Sequence, residues 1–348
     1  MGYGNLAVDR IRRLASLTPT RARNVWKLQR AYAGLRKHGP IDGQALMPAG
    51  VMPMSLSIEP TTSCNLRCPE CPSGLRSFTR PTGMLTTRNA SQWIDDLSPW
   101  LAYVNLYFQG EPLLNTGLAQ LIETCTRHGI YSSTSTNAHH LTPSRCEELI
   151  ESGLKRLIVS VDGLTQETYA AYRVGGQLHK VLEGTGTLVE TKRRLGRGPH
   201  VVWQFLAVGP NEHEVKDLHA RATALGVDEV VIKTAQLDDP QDGHPLLTQD
   251  PNLRRYDRDP HTGTWVLRNP MKDECWRMWQ GAVVTWDGKV VPCCFDKDAK
   301  HVMGNLTTQP MAEVWHGKAY DAFRRQIFTG RSDVPMCTNC TEGTEVYA

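Results

Sequence analysis

Hydrophobic and polar residues alternate through the middle of the chain in the pattern of a parallel α/β protein. Six short runs rich in β-branched and aromatic residues are separated by longer stretches with apolar residues at helical spacing. We predict strands at 54–59, 102–108, 130–136, 156–161, 200–208 and 229–234. We predict the intervening helices at 86–97, 116–128, 143–152, 165–192 (interrupted at Gly175-Gly176) and 212–225. Such alternation predicts βα units around a parallel sheet, and a full eightfold barrel would need more chain of this pattern than remains.

Residues 1–50 form a basic segment with helical periodicity. Apolar residues recur at helical spacing between Ile11 and Leu17 and again between Val25 and Leu35, and nine Arg and Lys residues occupy most other positions. One interpretation is a pair of helices packed on the outside of the main domain, with a solvated basic side. The alternative is a docking surface for a partner or an anionic membrane. The Gly, Pro and Met residues that follow, up to position 53, predict a linker.

Two further segments follow the alternating pattern. Residues 238–270 are rich in Pro and Asp with little periodicity, which predicts a linker or a cover over an active site. Further on, the runs 282–286 and 289–291 flank the turn Asp287-Gly288 and predict a β-hairpin, and residues 311–325 predict a helix. We therefore divide the chain into segments 1–50, 51–237, 238–270 and 271–348.

Composition limits the classes of protein to which the chain can belong. Apolar residues make up 40% and charged residues 22% of its 348 residues, as in an ordinary globular protein. A net charge of +3 gives no indication of a nucleic-acid partner. No stretch approaches ~18 consecutive apolar residues, so we predict no membrane span, and residues 1–13 lack the apolar core of a secretion signal. Ten cysteines in such a chain indicate metal or redox chemistry in a reducing cytoplasm rather than disulfides.

Three of these cysteines, Cys64, Cys68 and Cys71, lie within eight residues shortly after the first predicted strand. Soft thiolates at this density select iron–sulfur clusters or zinc. A [4Fe–4S] cluster held by three cysteines keeps one iron free for another ligand, whereas a structural zinc ion requires a fourth protein ligand. The loop therefore favours an open catalytic cluster, with a zinc or disulfide knuckle as the alternative.

The spacing of Cys64, Cys68 and Cys71 resembles the signature of the radical S-adenosylmethionine (radical SAM) superfamily, and the resemblance extends from about Pro53 to the C-terminus. It implies a partial (β/α)6 barrel, with a [4Fe–4S] cluster and S-adenosyl-L-methionine (AdoMet) as cofactors. In such enzymes the reduced cluster cleaves AdoMet to a 5′-deoxyadenosyl radical, which abstracts a hydrogen atom from the substrate. One departure is Glu70, where the family often has an aromatic residue that holds the adenine, so adenine packing is expected from elsewhere.

The resemblance also implies AdoMet-binding roles for residues at the ends of the predicted strands, where the sites of parallel βα folds lie. The sequence from Gln109 to Pro112 is similar to the Gly-Gly-Glu motif, in which Gly110 and Glu111 would hold the AdoMet ammonium group. Seen alone, this sequence also fits a β-turn. Ser135 and Asn137, at the end of the third strand, would contact the ribose, although Ser and Asn are also ordinary turn residues.

The sequence Ser160-Val161-Asp162-Gly163, with Arg173 downstream, resembles the Ser-x-Asp-Gly motif of peptide-modifying and related members. The resemblance implies that Ser160 and Arg173 engage the AdoMet carboxylate, for which a planar guanidinium is suited. Asp162 would orient the loop or act on the substrate as a catalytic residue. Gln204, in the fifth strand, would face the cofactor or be a hydrogen-bonded core amide.

More cysteines cluster in the last quarter of the chain, and four of them suggest a second metal site. The predicted hairpin brings Cys275 and Cys293 together, and Cys337 and Cys340 complete a set of four ligands. By ligand count alone, this set also fits a zinc ribbon. The resemblance favours a twitch or SPASM-like domain in which these four cysteines bind an auxiliary [4Fe–4S] cluster. Because four protein ligands leave no iron open to substrate, this cluster is expected to transfer electrons.

The reaction implied by the resemblance is a net oxidation, in which a substrate radical gives its electron to the auxiliary cluster. The alternative is a redox-neutral epimerase or decarboxylase with Cys294 as the hydrogen donor. Cys294 also fits a spare core thiol or an alternative cluster ligand. A remote alternative is a non-catalytic metal-binding module. Cys125 and Cys146 lie on predicted helices and are expected in the core.

The substrate stays open at this point, since sugars, cyclitols, nucleosides and peptides all fit the pattern. Lys233, which ends the sixth strand, is a candidate substrate contact. The short helical N-terminal segment leaves no room for a separate leader-peptide-binding domain, which favours a small molecule. We also expect a reducing partner such as flavodoxin or ferredoxin, and a cytoplasmic location.

Overall fold

The computed structural model describes residues 3–269 and 271–340. Its strands, numbered β1 to β11 in chain order, span Ser55–Ile58, Tyr103–Asn105, Tyr131–Thr136, Arg156–Ser160, His200–Ala207, Glu229–Thr234, Tyr256–Arg258, Trp265–Leu267, Gly281–Val284, Lys289–Val291 and Gly304–Asn305. Its α-helices, α1 to α12, span Tyr3–Ala15, Pro19–His38, Pro72–Leu75, Thr87–Leu97, Leu118–Arg127, Pro143–Glu151, Gln166–Tyr172, Leu178–Leu195, Val215–Leu225, Arg277–Gln280, Met311–Trp315 and Lys318–Gly330. None of the described helices is long and apolar enough to cross a bilayer.

Strands β1 to β6 form the predicted partial barrel. They pair in chain order, and each pair from β1–β2 to β5–β6 is parallel. Helices α4, α5, α6, α8 and α9 lie in the connections between successive strands, as βα units require. Buried side chains such as Leu56 and Trp203 belong to one continuous core between the strands and these helices. The predicted α/β class and partial (β/α)6 barrel are therefore confirmed.

Local sequence signals set most element boundaries. The Thr142 side chain accepts the N–H of Arg145 at 3.3 Å and caps α6, and the break predicted at Gly175-Gly176 separates α7 from α8. Two expectations need correction. Strand β2 ends at Asn105 rather than 108, because the chain turns away there toward the Cys64–Cys71 loop. The single helix predicted at 311–325 is two helices, α11 and α12, which are separated at Gly317.

The C-terminal hairpin extends the barrel sheet, a pairing that the sequence pattern did not indicate. Strand β9 pairs with β1 in parallel, and β10 and β11 continue the sheet beyond it. The register places Gly281 opposite Ser55, and a Cβ atom on Gly281 would clash with the Ser55 carbonyl oxygen. Glycine therefore permits the close approach that joins the C-terminal segment to the barrel.

The N-terminal helices close the barrel at the N-terminal ends of its strands. Asp9 of α1 is buried, accepts a hydrogen bond from the Tyr131 hydroxyl, and pairs with Arg156 at 3.2 Å. Tyr131 and Arg156 are the first residues of β3 and β4. The buried Arg21 guanidinium of α2 donates to carbonyl oxygens beyond the helix, among them those of Ser98 and Gly129. Both N-terminal helices therefore pack against the barrel.

The segment 238–270 contains the small antiparallel hairpin β7–β8 and packs over the loop of Cys64, Cys68 and Cys71. Leu246, Leu247 and Tyr256 share a buried apolar cluster with Leu66 and Cys68. The segment also reaches the C-terminal cysteines, as the Tyr256 hydroxyl donates to Asn339 Oδ1 at 2.6 Å. These contacts fit the role of a cover, which stays a prediction.

Candidate active site

The loop after β1 brings Cys64, Cys68 and Cys71 to one cavity of about 140 Å³, which we call the cofactor cavity. The loop is packed tightly from behind, because a Cβ atom on Gly74 would lie 2.6 Å from the Cys68 backbone nitrogen. The Arg67 N–H donates to the Val174 carbonyl oxygen at 2.9 Å. Burial raises the pKa of the Cys64 thiol to about 11 and also raises that of Cys68, so these two thiols need a strongly bound partner to ionise.

Gly110 lies against the same loop in a left-handed conformation, with φ +72°. A Cβ atom here would clash with the Thr61 carbonyl oxygen and lie 2.7 Å from that of Ser63. The Gly110 N–H donates to Ser73 Oγ at 2.9 Å, and the Glu111 N–H donates to the Ser63 carbonyl oxygen at 2.8 Å. Glycine is therefore required where this turn meets the cysteine loop.

The Glu111 carboxylate joins the ends of β2 and β3. It accepts the Asn137 N–H at 2.8 Å, the Thr136 hydroxyl at 2.8 Å and the Leu113 N–H at 3.1 Å. Burial raises the pKa of Glu111 above its ordinary value, and these hydrogen bonds oppose that rise. The carboxylate also lines the cofactor cavity, where it can accept a further donor.

Other predicted AdoMet contacts converge on this cavity. Ser135, Asn137, Ser160 and Arg173 all line it. The Asn137 side-chain amide donates to Asn65 Oδ1 at 2.7 Å, which ties the end of β3 to the cysteine loop. Gln204 lies in register with Ser160 on the neighbouring strand but does not line the cavity.

Asp162 is fully buried and holds Arg173 in place. The Arg173 Nε donates to Asp162 Oδ2 at 2.5 Å, and the Leu206 N–H donates to Asp162 Oδ1 at 2.6 Å. Arg173 Nη1 in turn lies 3.7 Å from Cys68 Sγ. Because both carboxylate oxygens are engaged and Asp162 lines neither this cavity nor the next one, its position favours an orienting role over direct action on substrate.

A second cavity of about 320 Å³, here the reaction cavity, adjoins the first. Tyr107 and Phe108 line both cavities. These two aromatic residues fall within the predicted strand 102–108 and were not predicted as site residues. They offer the aromatic surface near the cofactor that Glu70 does not supply. Glu70 instead accepts the Asp238 N–H at 2.9 Å and pairs with His244 at 3.2 Å in the segment 238–270.

The reaction cavity is polar and contains basic side chains. It is lined by Lys233, Arg277 and Lys297, and none of its described lining residues is acidic. Serine, tyrosine, asparagine and glutamine side chains supply further hydrogen-bonding groups. Lys233, the predicted substrate contact, therefore lies where a substrate would bind.

Cysteines of the C-terminal segment form the opposite wall. Cys293 and Cys294 line the reaction cavity, and the Cys293 and Cys294 thiols are hydrogen-bonded to each other. Cys275, Cys337 and Cys340 are buried nearby, with the Arg331 guanidinium close to all three. Burial raises the pKa of Cys275 to about 11 and also raises that of Cys337, which the Arg331 charge opposes.

The donor chemistry of both cysteine sets fits iron–sulfur clusters. Buried thiols in apolar surroundings, with a guanidinium beside each set, suit a cluster whose thiolates carry negative charge. Within the described residues, no three His, Cys, Asp or Glu side chains converge at the spacing of a single metal ion. The two cysteine sets therefore suit iron–sulfur clusters by the chemistry of their donor atoms, and the first set also by the cavity beside it.

Comparison with known proteins agrees with the site. A model of the radical SAM superfamily matches residues 58–222, and a model of the SPASM iron–sulfur cluster-binding domain matches residues 275–341. The AdoMet-dependent heme synthase of Methanosarcina barkeri is 32% identical over 137 residues, 39% of this chain and 39% of that protein. The tungsten-containing aldehyde ferredoxin oxidoreductase cofactor-modifying protein of Pyrococcus furiosus is 22% identical over 316 residues, 82% of this chain and 86% of that protein.

Among solved structures, BtrN in complex with AdoMet and 2-DOIA has a TM-score of 0.53 at 21% identity, covering 84% of this chain and 94% of that one. This likeness bears on the fold. The chain spans well under half the length of the heme synthase. The chain therefore carries a radical SAM domain over residues 58–222 and a SPASM domain over residues 275–341. Its cofactors are therefore AdoMet, a [4Fe–4S] cluster and an auxiliary iron–sulfur cluster.

Proposed function

We propose that the protein is a radical SAM oxidoreductase that oxidises a small polar molecule in the reaction cavity. The observation that carries this proposal is the position of the cavity. It shares Tyr107 and Phe108 with the cofactor cavity, and Cys293 lines it as well. A substrate bound there would lie between the site at which a radical forms and an electron acceptor.

The residues around the cofactor cavity supply the groups that AdoMet requires. The three thiols of the β1 loop would hold the cluster. Arg173, held by Asp162, presents a cation of fixed orientation to a carboxylate. Glu111 presents an anion that suits an ammonium group, and the Ser135 and Ser160 hydroxyls suit polar groups of the nucleoside.

The lining of the reaction cavity supports the class of substrate. A volume of about 320 Å³ suits a compact molecule. Lys233 and Lys297 favour a substrate that carries a carboxylate or phosphate group, and the amides and hydroxyls favour one rich in polar groups. Arg277 lies close to Cys275 and Cys293, so its charge also balances thiolates of the auxiliary site.

When bound, the reduced cluster and AdoMet supply a 5′-deoxyadenosyl radical that removes a hydrogen atom, and the auxiliary cluster supplies an acceptor for the remaining electron. The chain's part is to hold the reacting carbon at the boundary between the cavities. Tyr107 and Phe108 form that boundary, and the segment 238–270 packs over the cysteine loop to limit access of water. We further propose that a flavodoxin or ferredoxin supplies the reducing electron in the cytoplasm.

One observation favours a second candidate, a redox-neutral epimerase. Cys294 lines the reaction cavity, where its thiol could return a hydrogen atom to the opposite face of a substrate radical. Burial raises the pKa of Tyr107 to about 12, and a further contribution comes from the nearby Cys294. Cys294 and Tyr107 therefore lie close to each other at the place where a hydrogen donor would act.

The test is product analysis of the anaerobically reconstituted enzyme in heavy water with strong reductant. Compounds with a carboxylate or phosphate group form the first panel, and their neutral analogues are the controls. A product oxidised by two electrons, without solvent deuterium, supports the proposed oxidation. A product of unchanged mass apart from one deuterium overturns it in favour of epimerisation. No cleavage of AdoMet under any condition contradicts both functions.

A further inference from the structure

Helix α1 has an inverted distribution of polar and apolar side chains. Its polar residues face the barrel, where Asp9 is only 3% exposed and pairs with Arg13 and Arg156. Val8 and Ile11 face outward and are 46% and 64% exposed, whereas Leu14, 66% exposed, lines a cavity of about 620 Å³ between the N-terminal helices and the barrel. A surface helix ordinarily buries its apolar side against the protein. The outward side of α1 therefore presents an apolar strip that the described chain does not cover.

The surface beside this strip is cationic. The first 41 residues contain nine Arg and Lys residues against one acidic residue, the buried Asp9, while the whole chain has a net charge of only +3. On the solvent side of α2, Trp26 is 55% exposed and its ring lies 5.3 Å from the Arg30 guanidinium carbon. Arg23 and Lys27 are exposed on the same side of the helix.

We propose that α1 and the outer side of α2 dock the enzyme on an anionic membrane surface. An apolar strip flanked by Arg and Lys, with an exposed Trp, is the pattern of a helix that lies in the lipid interface. Charge complementarity selects this occupant, because a second copy would bring two cationic surfaces together. The buried Asp9 network fixes α1 to the barrel, so the strip faces outward in the folded enzyme.

Docking through α1 and α2 would turn the end of the barrel that these helices close toward the membrane. The helices contact the N-terminal ends of β3 and β4, whereas the cysteine loop follows the C-terminal end of β1. The cofactor cavity would therefore face away from the lipid and stay accessible to a reducing partner.

The test is co-sedimentation of the reconstituted holoenzyme with vesicles. One set contains phosphatidylcholine alone and the other also contains about one third phosphatidylglycerol, a content at which each surface cation adds measurable affinity. We expect binding to the anionic vesicles that falls at high salt. The double substitution Val8→Ser and Ile11→Ser should lower the partition coefficient roughly tenfold or more, because it removes the apolar contact. Val302→Ser, at an apolar residue that is 43% exposed elsewhere, should leave it unchanged.

A charge series separates electrostatic attraction from apolar contact. Arg23→Gln, Lys27→Gln and Arg30→Gln together should abolish the preference for anionic vesicles. Neutralising three exposed residues away from α1 and α2, Arg88, Lys216 and Arg221, should have little effect. The proposal is overturned if the holoenzyme does not bind anionic vesicles. It is also overturned if the variants of α1 and α2 bind these vesicles as strongly as their control variants do. A dimer that dissociates on Val8→Ser and Ile11→Ser, without vesicle binding, would instead identify an interface between two copies.

Discussion

Arg173 and Asp162 form a buried ion pair that aims a guanidinium at the cofactor cavity. Arg173 Nε lies 2.5 Å from Asp162 Oδ2, and Nη1 lies 3.7 Å from Cys68 Sγ. The carboxylate is itself fixed by the Leu206 N–H of the next strand. The pair therefore connects the ends of β4 and β5 to the cysteine loop, and it determines where a carboxylate of AdoMet can bind.

Asp162→Asn should weaken AdoMet binding without loss of the cluster. The neutral amide no longer attracts the guanidinium, so Arg173 loses its fixed orientation and the KM for AdoMet should rise roughly tenfold. Iron content should stay at the wild-type level. Asp217→Asn, on the exposed side of α9, is the matched control. An unchanged KM together with unchanged iron would contradict the positioning role of Asp162.

Gly110→Ala should lower the stability of the fold and the affinity for AdoMet more than Gly129→Ala, which replaces a glycine at a comparable turn. The left-handed backbone costs about 1 kcal/mol for alanine, and the clash with Thr61 and Ser63 adds a further ~1–3 kcal/mol. Gly129→Ala is the control, since Gly129 has φ +62° but no atom within 4 Å of its added Cβ. Denaturant unfolding and AdoMet titration measure the difference. Equal effects of the two substitutions would show that the close approach at Gly110 is unimportant.

Neighbouring cysteines at the reaction cavity should respond differently to replacement. Cys293→Ser should remove about four irons per chain, because a [4Fe–4S] cluster that loses a thiolate is poorly held. Cys294→Ser should keep the iron, and it should stop deuterium incorporation if Cys294 is the hydrogen donor. Iron analysis and mass spectrometry of product measure both effects. Loss of iron from Cys294→Ser but not from Cys293→Ser would instead make Cys294 the cluster ligand and leave Cys293 as the candidate hydrogen donor.

Stability at alkaline pH should depend on the two core cysteines outside both metal sites. Burial raises the pKa of both Cys125 and Cys146 to about 12, whereas a thiol in the unfolded chain titrates near ~8.5. Between these values the unfolded chain loses protons that the folded protein keeps. The stabilising effect is therefore complete below pH ~8.5 and declines as the pH rises, by up to ~1.4 kcal/mol per pH unit for each thiol.

The double substitution Cys125→Ala and Cys146→Ala should reduce this alkaline decline. Denaturant unfolding between pH 8 and pH 10, values that bracket the ~8.5 of a free thiol, measures the slope for both proteins. Ser77→Ala, at an exposed serine, serves as a control that removes no thiol. A slope equal to that of the wild type would show that these buried thiols do not control the pH dependence.

The parts of the site that could be predicted are those encoded over short stretches. Cys64, Cys68 and Cys71 are close in sequence, whereas Glu111 lies in the loop after β2 and Arg173 directly follows α7, where short motifs rather than strand ends pointed to them. Two roles were predicted for Asp162, orienting the loop or acting on the substrate. The sequence could not separate them, because the contact of the Asp162 carboxylate with the Leu206 N–H is formed only by the fold. The short segment around Gly317 carried helical periodicity on both sides, which concealed the break between α11 and α12.

Long-range pairings could not be predicted because no local signal specifies them. The parallel pairing of β9 with β1 depends on the close approach of Gly281 to Ser55, residues separated by most of the chain. Glu59 and Arg80 form another such contact, a buried ion pair of 2.6 Å between the end of β1 and the region after the cysteine loop. Tyr107 and Phe108 were counted as strand residues, whereas the chain leaves the sheet before them and they line both cavities.

The most direct measurement is the formation of 5′-deoxyadenosine by the anaerobically reconstituted protein with AdoMet and dithionite. We expect the wild-type protein to form this nucleoside, Cys68→Ser not to form it, and Cys125→Ser still to form it. Cys68 lies in the cofactor cavity, whereas Cys125 is buried in helix α5. Absence of the nucleoside with the wild-type protein, or its formation by Cys68→Ser at the wild-type rate, would show that the cysteine loop does not hold a cluster that cleaves AdoMet.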